Sequence, residues 1–334
     1  MDILTRIGAM RAGKGVRRLC LCVVFALCLV PAFAQRKELA FHLAFEPYFA
    51  CVFGQLDEYV FQKYNGEWER LSLLEWEEKP RWEYGMRVGS SYKKVHLDLH
   101  IASSFTAPSG EMRDSDWQNM SDWSMKTNYS VSDNKISSYL NFGGSVGFAF
   151  SPWEKMTLMP LFEVGYSNLL FKAYGGEAWY GTNTTPFCSW DSPNAVHSTF
   201  EGNIIDYDRW SIYTYLGMVC SFMPIDRLAL DFFLGASPYT YAESMDIHHL
   251  RSLRFKDITN SVFKHFKGNA TVRYSFNDVF TLGLSLDGYL VTQDRGDTWY
   301  STKKSNSFKK IEDEQGGIAA REAAVSLFLR MYVF

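Results

Sequence analysis

Val95-His-Leu-Asp-Leu-His-Ile-Ala-Ser-Ser-Phe105 is the stretch that decides the fold. In an extended strand side chains alternate faces with a period of two. Val95, Leu97, Leu99, Ile101 and Phe105 therefore share one face, and His96, Asp98, His100 and Ser104 share the other. One face suits hydrocarbon and the other suits water. The pattern returns downstream: Ile212, Leu216 and Met218 alternate with Tyr213, Tyr215 and Gly217, and Leu282, Leu284, Leu286 and Leu290 with Gly283, Ser285, Asp287 and Tyr289. Helical spacing of comparable length is absent. Beyond residue 34 no segment holds 18 consecutive apolar residues, which excludes membrane-spanning helices.

Working outward, the alternation predicts ten strands, near 45–62, 69–91, 93–108, 136–151, 155–174, 200–222, 227–242, 258–276, 279–297 and 317–334. Several exceed the 5–6 residues usual for a globular strand. Connections alternate in length too. Tight turns are expected at Ser151-Pro152-Trp153-Glu154, Pro224-Ile225-Asp226-Arg227 and Phe276-Asn277-Asp278, and long polar loops near 109–135, 175–199, 243–257 and 298–316. Short turns at one end and long loops at the other describe an all-β, ten-stranded antiparallel transmembrane barrel with long extracellular loops. A soluble β-sandwich is the competing architecture. Two features oppose it: a polar face holding His96, Asp98, His100, Arg273 and Asp287, and the aromatic ending Leu-Arg-Met-Tyr-Val-Phe334. In that last strand Phe328, Tyr332 and Phe334 are expected on the apolar face, interrupted by Arg330.

The chain carries its own address. Arg11, Lys14, Arg17 and Arg18 precede the apolar run Leu19–Val30, and Ala32-Phe33-Ala34 offers a small-x-small cleavage site. Residues 1–34 are thus expected to be a signal peptide and 35–334 one barrel domain, without a lipid anchor. Past the signal, Cys51, Cys188 and Cys220 form an odd set that argues against a disulfide framework or a zinc site and leaves a single disulfide open. A formal charge of −3 with no basic stripe gives no sign of a nucleic-acid partner. Aromatic residues reach 16%, yet mean hydropathy is only −0.18, so the chain is aromatic-rich without being greasy.

Two short motifs carry candidate chemistry. Asp114-Ser-Asp116 and Asp246-Ile-His248 each place two functional groups i, i+2 on one strand face. A carboxylate beside a histidine fixes its tautomer and lets it accept a proton from water. Either motif alone is more often a solvated pair near a loop. A second Asp-x-Asp, Asp206-Tyr-Asp208, lacks a histidine in an equivalent position. His96, Asp98 and His100 resemble a metal set, but same-face Cβ atoms along one strand lie roughly 6.5–7 Å apart. Such a row converges poorly on one ion and reads as a hydrogen-bonded lumen lining. Gly-x-Ser-x-Gly, His-Glu-x-x-His and phosphate-binding glycine loops are absent.

Across essentially all of residues 35–334 the chain resembles the omptin family of outer-membrane endopeptidases. The likeness rests on Gly54-Gln-Leu56-Asp-Glu58-Tyr-Val60-Phe, Leu73-Leu-Glu-Trp76, Gly110-Glu-Met112-Arg-Asp114-Ser-Asp116-Trp117 with Trp123, Gly165-Tyr166, Phe171, Ala173-Tyr-Gly175-Gly176 and Asp246-Ile-His248, in matching order and strand context. The resemblance implies a groove at the extracellular end of a barrel in a bacterial outer membrane, acting on peptides and proteins at the cell surface. Asp246 and His248 would activate the attacking water; Asp114 and Asp116 would position it and stabilise the tetrahedral intermediate. It implies no cofactor or metal, with lipopolysaccharide or another outer-membrane lipid as partner and candidate activator. Glu58 corresponds to a glutamate of the family's specificity pocket. The position two before Asp246, often acidic, is Ser244 here, and Met125 falls where an acid can occur, so a preference for basic residues does not follow. A barrel without catalysis, serving adhesion or surface structure, is the alternative from another class, and a small pore the third.

Overall fold

The computed structural model describes residues 41–302, 305 and 307–333; the signal-peptide expectation and Phe334 lie outside the described residues. Residues His42–Val333 form one compact unit. Its strands are β1 (Phe41–Tyr64), β2 (Glu67–Tyr92), β3 (Val95–Ser104 and Ala107–Asp116), β4 (Asn128–Phe148, ending in Phe150–Trp153), β5 (Met156–Tyr180), β6 (Val196–Ile225), β7 (Leu228–Ala236 and Thr240–His248), β8 (Leu253–Ser261 and His265–Ser275), β9 (Phe280–Thr302) and β10 (Lys309–Tyr332). Each pairs with its neighbours in sequence, and β1 pairs antiparallel with β10, which closes ten strands into a ring. Closure leaves no edge, so every strand can sit in hydrocarbon with its backbone hydrogen bonds satisfied.

The alternation that suggested a barrel also orients it. Val95, Leu97, Leu99 and Phe105 are exposed, as are Ile212, Leu216 and Met218 on β6 and Leu282, Leu284, Leu286 and Leu290 on β9. They belong to an outward apolar belt around the ring that fits a bilayer core. The final strand differs from expectation. Val325, Leu327 and Leu329 face outward, whereas Phe328 is buried inside the ring. Arg330 ion-pairs with Glu46 at 2.6 Å, so its charge is neutralised within the barrel. Gly283, opposite Phe328 on β9, makes room for the ring; a Cβ there would lie 2.0 Å from it.

The strands run further than expected at the long-loop end. Of the four polar stretches taken for loops, the first three shrink to residues 117–127, 181–195 and 249–252, and in the fourth the strands reach Thr302 and resume at Lys309. Above the apolar belt the outer face meets water while the inner face mixes apolar and charged side chains, so periodicity disappears although the ladder continues. Inside this upper extension lies a hydrophobic plug that includes Leu56, Leu74, Met112, Ile136 and Ile205. At its centre Trp76 stacks on Phe171 (5.4 Å between centroids) and on Tyr207 (5.6 Å). Burying a large aromatic of this kind is worth several kcal/mol, ~3–5 by truncation. The plug forms the floor of the barrel mouth. Cys51, Cys188 and Cys220 are free thiols.

Candidate active site

Strand register decides which way the two motifs point. On β3, Met112 pairs with Trp76, Asp114 with Leu74 and Asp116 with Ser72. Directly paired residues share a face, so both aspartates continue the inward face of the plug. They lie on a strand rather than in the loop beyond it. On β7, burial alternates from Ala242 through Ser244 and Asp246 to His248. Asp246 pairs with Tyr207 of β6 and with Phe255 of β8, and His248 with Ile205 and Leu253. This motif, too, belongs to the ladder and faces inward. The two pairs project into the mouth from β3 and β7, and the charges of Asp114 and His248 act on one another.

The couple on β7 is tight. His248 Nε2 lies 2.5 Å from Asp246 Oδ2, and Phe255 packs edge-on against the imidazole at 5.5 Å. A proton on Nε2 donated to the carboxylate leaves Nδ1 with a lone pair for a proton from water. Burial opposes charge on the imidazole, but the charge of Asp246 and its hydrogen bond outweigh it and hold His248 above its ordinary value. Asp246 Oδ1 is buried without a hydrogen-bond partner among the described residues.

The pair on β3 is held from both sides. Ser72 Oγ donates to Asp114 Oδ1 at 3.3 Å, and Asn128 Nδ2 donates to Asp116 Oδ2 at 3.2 Å. Burial, reinforced by the charge of Asp116, pushes Asp114 up to about 7. Burial also raises Asp116, against the hydrogen bond from Asn128. Desolvation and like charge both penalise the doubly ionised state of this half-buried pair, so it retains a proton toward neutral pH.

Below the couple lies a second acidic set. Glu58, 2% exposed, accepts a 3.4 Å hydrogen bond from Trp76 Nε1. Its carboxyl is held well above the usual range by burial first, then by the charges of Asp246 and Asp257. Asp257 was not singled out from the sequence. It pairs across the ladder with Ser244, accepts a 2.7 Å hydrogen bond from Thr298 Oγ1, and is pushed up by burial to about 7. Gly316 on β10 leaves space for it; a Cβ there would lie 2.1 Å from Asp257 Cγ. The acid missing at 244 thus has a counterpart on the neighbouring strand. Cross-strand register carries that signal, and no single-strand motif shows it.

The residues set aside from the sequence lie elsewhere. His100 Nε2 meets Asn141 Oδ1 at 2.8 Å and the Tyr213 hydroxyl at 3.3 Å in the lumen. Asp206 does have a histidine neighbour after all: His249 Nε2 lies 3.3 Å from its Oδ2, with Lys172 Nζ at 3.4 Å. Ile247 pairs with Asp206, and odd-numbered residues of β7 point away from the mouth, so this contact lies behind the site. Asp208 is held by Asn168 at 2.6 Å.

The model of the omptin family matches residues 48–334. The chain belongs to the omptin family. Among solved structures this omptin is similar to the outer membrane protease OmpT from Escherichia coli, with a TM-score of 0.76 at 15% identity, covering 89% of this chain and 99% of that one. At this identity the likeness concerns the fold. A match to the outer membrane protein OprG from Pseudomonas aeruginosa has a TM-score of 0.35 at 8% identity, over 88% of this chain and 96% of the other. No curated protein sequence matches the chain.

Proposed function

We propose that this omptin is an endopeptidase of a bacterial outer membrane, cutting peptide bonds of extracellular peptides and proteins in the barrel mouth. The observation that carries this reading is the inward-facing Asp246–His248 couple opposite the Asp114–Asp116 pair. Water between them gives a proton to His248 Nδ1 as its oxygen attacks the scissile carbonyl. Asp246 fixes the tautomer and offsets the imidazolium charge. The proton retained on the Asp114–Asp116 pair hydrogen-bonds the oxyanion that forms. The imidazolium then protonates the leaving nitrogen as the carbon–nitrogen bond breaks. The apolar belt seats the barrel in outer-membrane lipid, with the mouth outside, where a lipid such as lipopolysaccharide is the candidate activator.

Glu58 and Asp257 support a cationic side chain on the substrate next to the cut. Neither makes an ion pair with lysine or arginine among the described residues, and Asp246 adds its field to both. A basic side chain entering there would supply the missing countercharge. The test is cleavage of a diverse peptide library by the purified barrel in detergent micelles with added outer-membrane lipid. Cuts beside Lys or Arg, lost in His248→Ala, are expected. A folded barrel that cuts nothing would favour the adhesive or structural alternative.

A further inference from the structure

β4 opens at Asn128, which pairs with Asp116 of β3 on one side and with Tyr180 of β5 on the other. Directly paired residues share a face, so the amide of Asn128 lies on the same inward face as the carboxyl of Asp116. The two ends of that amide have different partners. Thr182 donates to Asn128 Oδ1 twice, from its hydroxyl at 2.9 Å and from its backbone N–H at 3.3 Å. With two donors on the acceptor end, the donor end turns to Asp116, where Nδ2 meets Oδ2 at 3.2 Å. Thr182 is itself fixed. It lies in a one-turn 3-10 helix, Gly181–Asn183, directly after β5. Gly181 donates its N–H to Thr127 O at 2.8 Å and accepts from Cys188 N at 3.2 Å, and a Cβ at Gly181 would collide with Cys188 O. Thr127 in turn donates its N–H and its hydroxyl to Asp116 O, at 2.8 Å and 3.1 Å. The loops after β3 and after β5 thus close on both the backbone and the side chain of Asp116.

Asp114 is held differently. Its Oδ1 accepts from the Ser72 hydroxyl at 3.3 Å, and a hydroxyl, unlike an amide NH2, can turn to donate or to accept. We propose that Asn128 is a positioning residue for the reaction: oriented by Thr182, its amide keeps Asp116 the ionised member of the pair and leaves the shared proton on Asp114. The inference rests on the endopeptidase reading. A donor locked in place favours the carboxylate over the neutral acid, because its hydrogen bond to the charged form is the stronger one. Burial raises both carboxyls, and the bond from Asn128 pulls Asp116 back down, whereas Asp114 is pushed up to about 7. Asp246 and His248 of β7, Arg251 of the β7–β8 turn, Glu58 of β1 and Tyr180 of β5 are the other charged or titratable groups acting with the pair. Among the described residues Asn128 is the side chain bonded to Asp116 and not to Asp114. Asp114 then keeps Oδ1 for Ser72 and carries the proton on Oδ2 for the oxyanion.

The experiment compares the full barrel with Asn128→Leu, Thr182→Val and Thr182→Ser in detergent micelles. The carboxyl carbons of isotope-labelled aspartate are followed by NMR against pH, assigned with Asp114→Asn and Asp116→Asn, alongside kcat and KM on one peptide. In the parent, Asp116 is expected to ionise first and Asp114 to hold its proton toward neutral pH. In Asn128→Leu the Asp116 midpoint should rise by about one pH unit, as for losing one charge-assisted hydrogen bond. The proton then spreads over both carboxyls; shared evenly it sits on Asp114 half the time, so kcat should fall about twofold or more with KM nearly unchanged. Thr182→Val keeps the backbone donor and should show the same shift in smaller measure, and Thr182→Ser should restore the parent. A side chain that merely braced the loop would alter unfolding by denaturant and leave the midpoints in place. Should Asn128→Leu fail to fold, Thr182→Val decides. An Asp116 midpoint that does not move in the folded variants, or a parent in which Asp116 is the last to ionise, overturns the proposal. The expected shift in a barrel that cleaves no peptide upholds the placing of the proton and overturns the endopeptidase reading, so the two failures are distinct.

Discussion

Buried carboxylates in the lower lumen and in the mouth of the same barrel are treated in opposite ways. In the lumen most are matched by a cation, with Asp287 held instead by hydrogen bonds from Asn269 and Ser285. Arg81 bridges Glu78, Glu83 and Glu322, Arg87 and Arg330 share Glu46, Lys267 holds Glu163 at 2.5 Å, and Arg273 holds Asp231. In the mouth Glu58, Asp114, Asp116, Asp246 and Asp257 make no ion pair with lysine or arginine among the described residues; Asp246 has only His248. Burying charge without a partner is costly, so the mouth is held in place by the Trp76 plug and the strand ladders beneath it. The lumen spends its charges on holding ten strands around a polar interior. The mouth keeps its charges uncompensated, which is where titration near neutral pH and chemistry become available.

The largest expected effect separates the two regions cleanly. His248→Ala or Asp246→Ala should lower kcat by about 10²–10⁴-fold, the range of general acid–base catalysis, while denaturant unfolding in micelles stays close to the parent. Arg81→Met should do the reverse. It leaves three carboxylates without their shared cation and should cost about 3–5 kcal/mol in the same unfolding measurement, with the folded fraction still cutting peptides. If Arg81→Met abolished cleavage without destabilising the barrel, the division of labour would be wrong.

Much of this contrast was legible in the sequence. Val95–Phe105 and its echoes gave the lipid-facing belt, because one strand face meets hydrocarbon and the other does not. The two motifs gave the candidate site, because i, i+2 spacing holds in any strand. Strand ends were not legible: above the belt Asp114 and Asp246 sit on ladders whose sequence shows no apolar–polar alternation. The orientation of the last strand was missed because Phe328 is an aromatic inside the ring, accommodated by Gly283. Asp257 was missed because its relation to Ser244 exists only across two strands.

A subtler prediction concerns stability in the mouth. Asp114 binds its proton more tightly folded than unfolded, so its contribution is fully present at acid pH and is lost as pH rises toward about 7. Asp114→Asn should therefore unfold at higher denaturant than the parent above neutral pH, and lose that advantage below pH ~4, while its peptide cleavage falls. The smallest effect belongs to Asp257→Asn. It should raise KM for peptides with Lys or Arg beside the cut about tenfold, as expected for losing one charged hydrogen bond, and leave kcat and peptides with neutral residues there nearly unchanged. An equal effect on both peptide classes would remove Asp257 from substrate recognition.

In the proposed mechanism, proton-sharing aspartates and a histidine base operate together in the mouth. The pH profile of kcat/KM, taken between pH ~5 and ~9 on one fluorogenic peptide, tests it most directly. The parent should give a narrow bell near neutral pH, its acid limb set by His248 and its basic limb by the Asp114–Asp116 pair. In Asp114→Asn, residual activity should lose the basic limb. A parent profile flat across that range, or an unchanged basic limb in Asp114→Asn, would contradict the account.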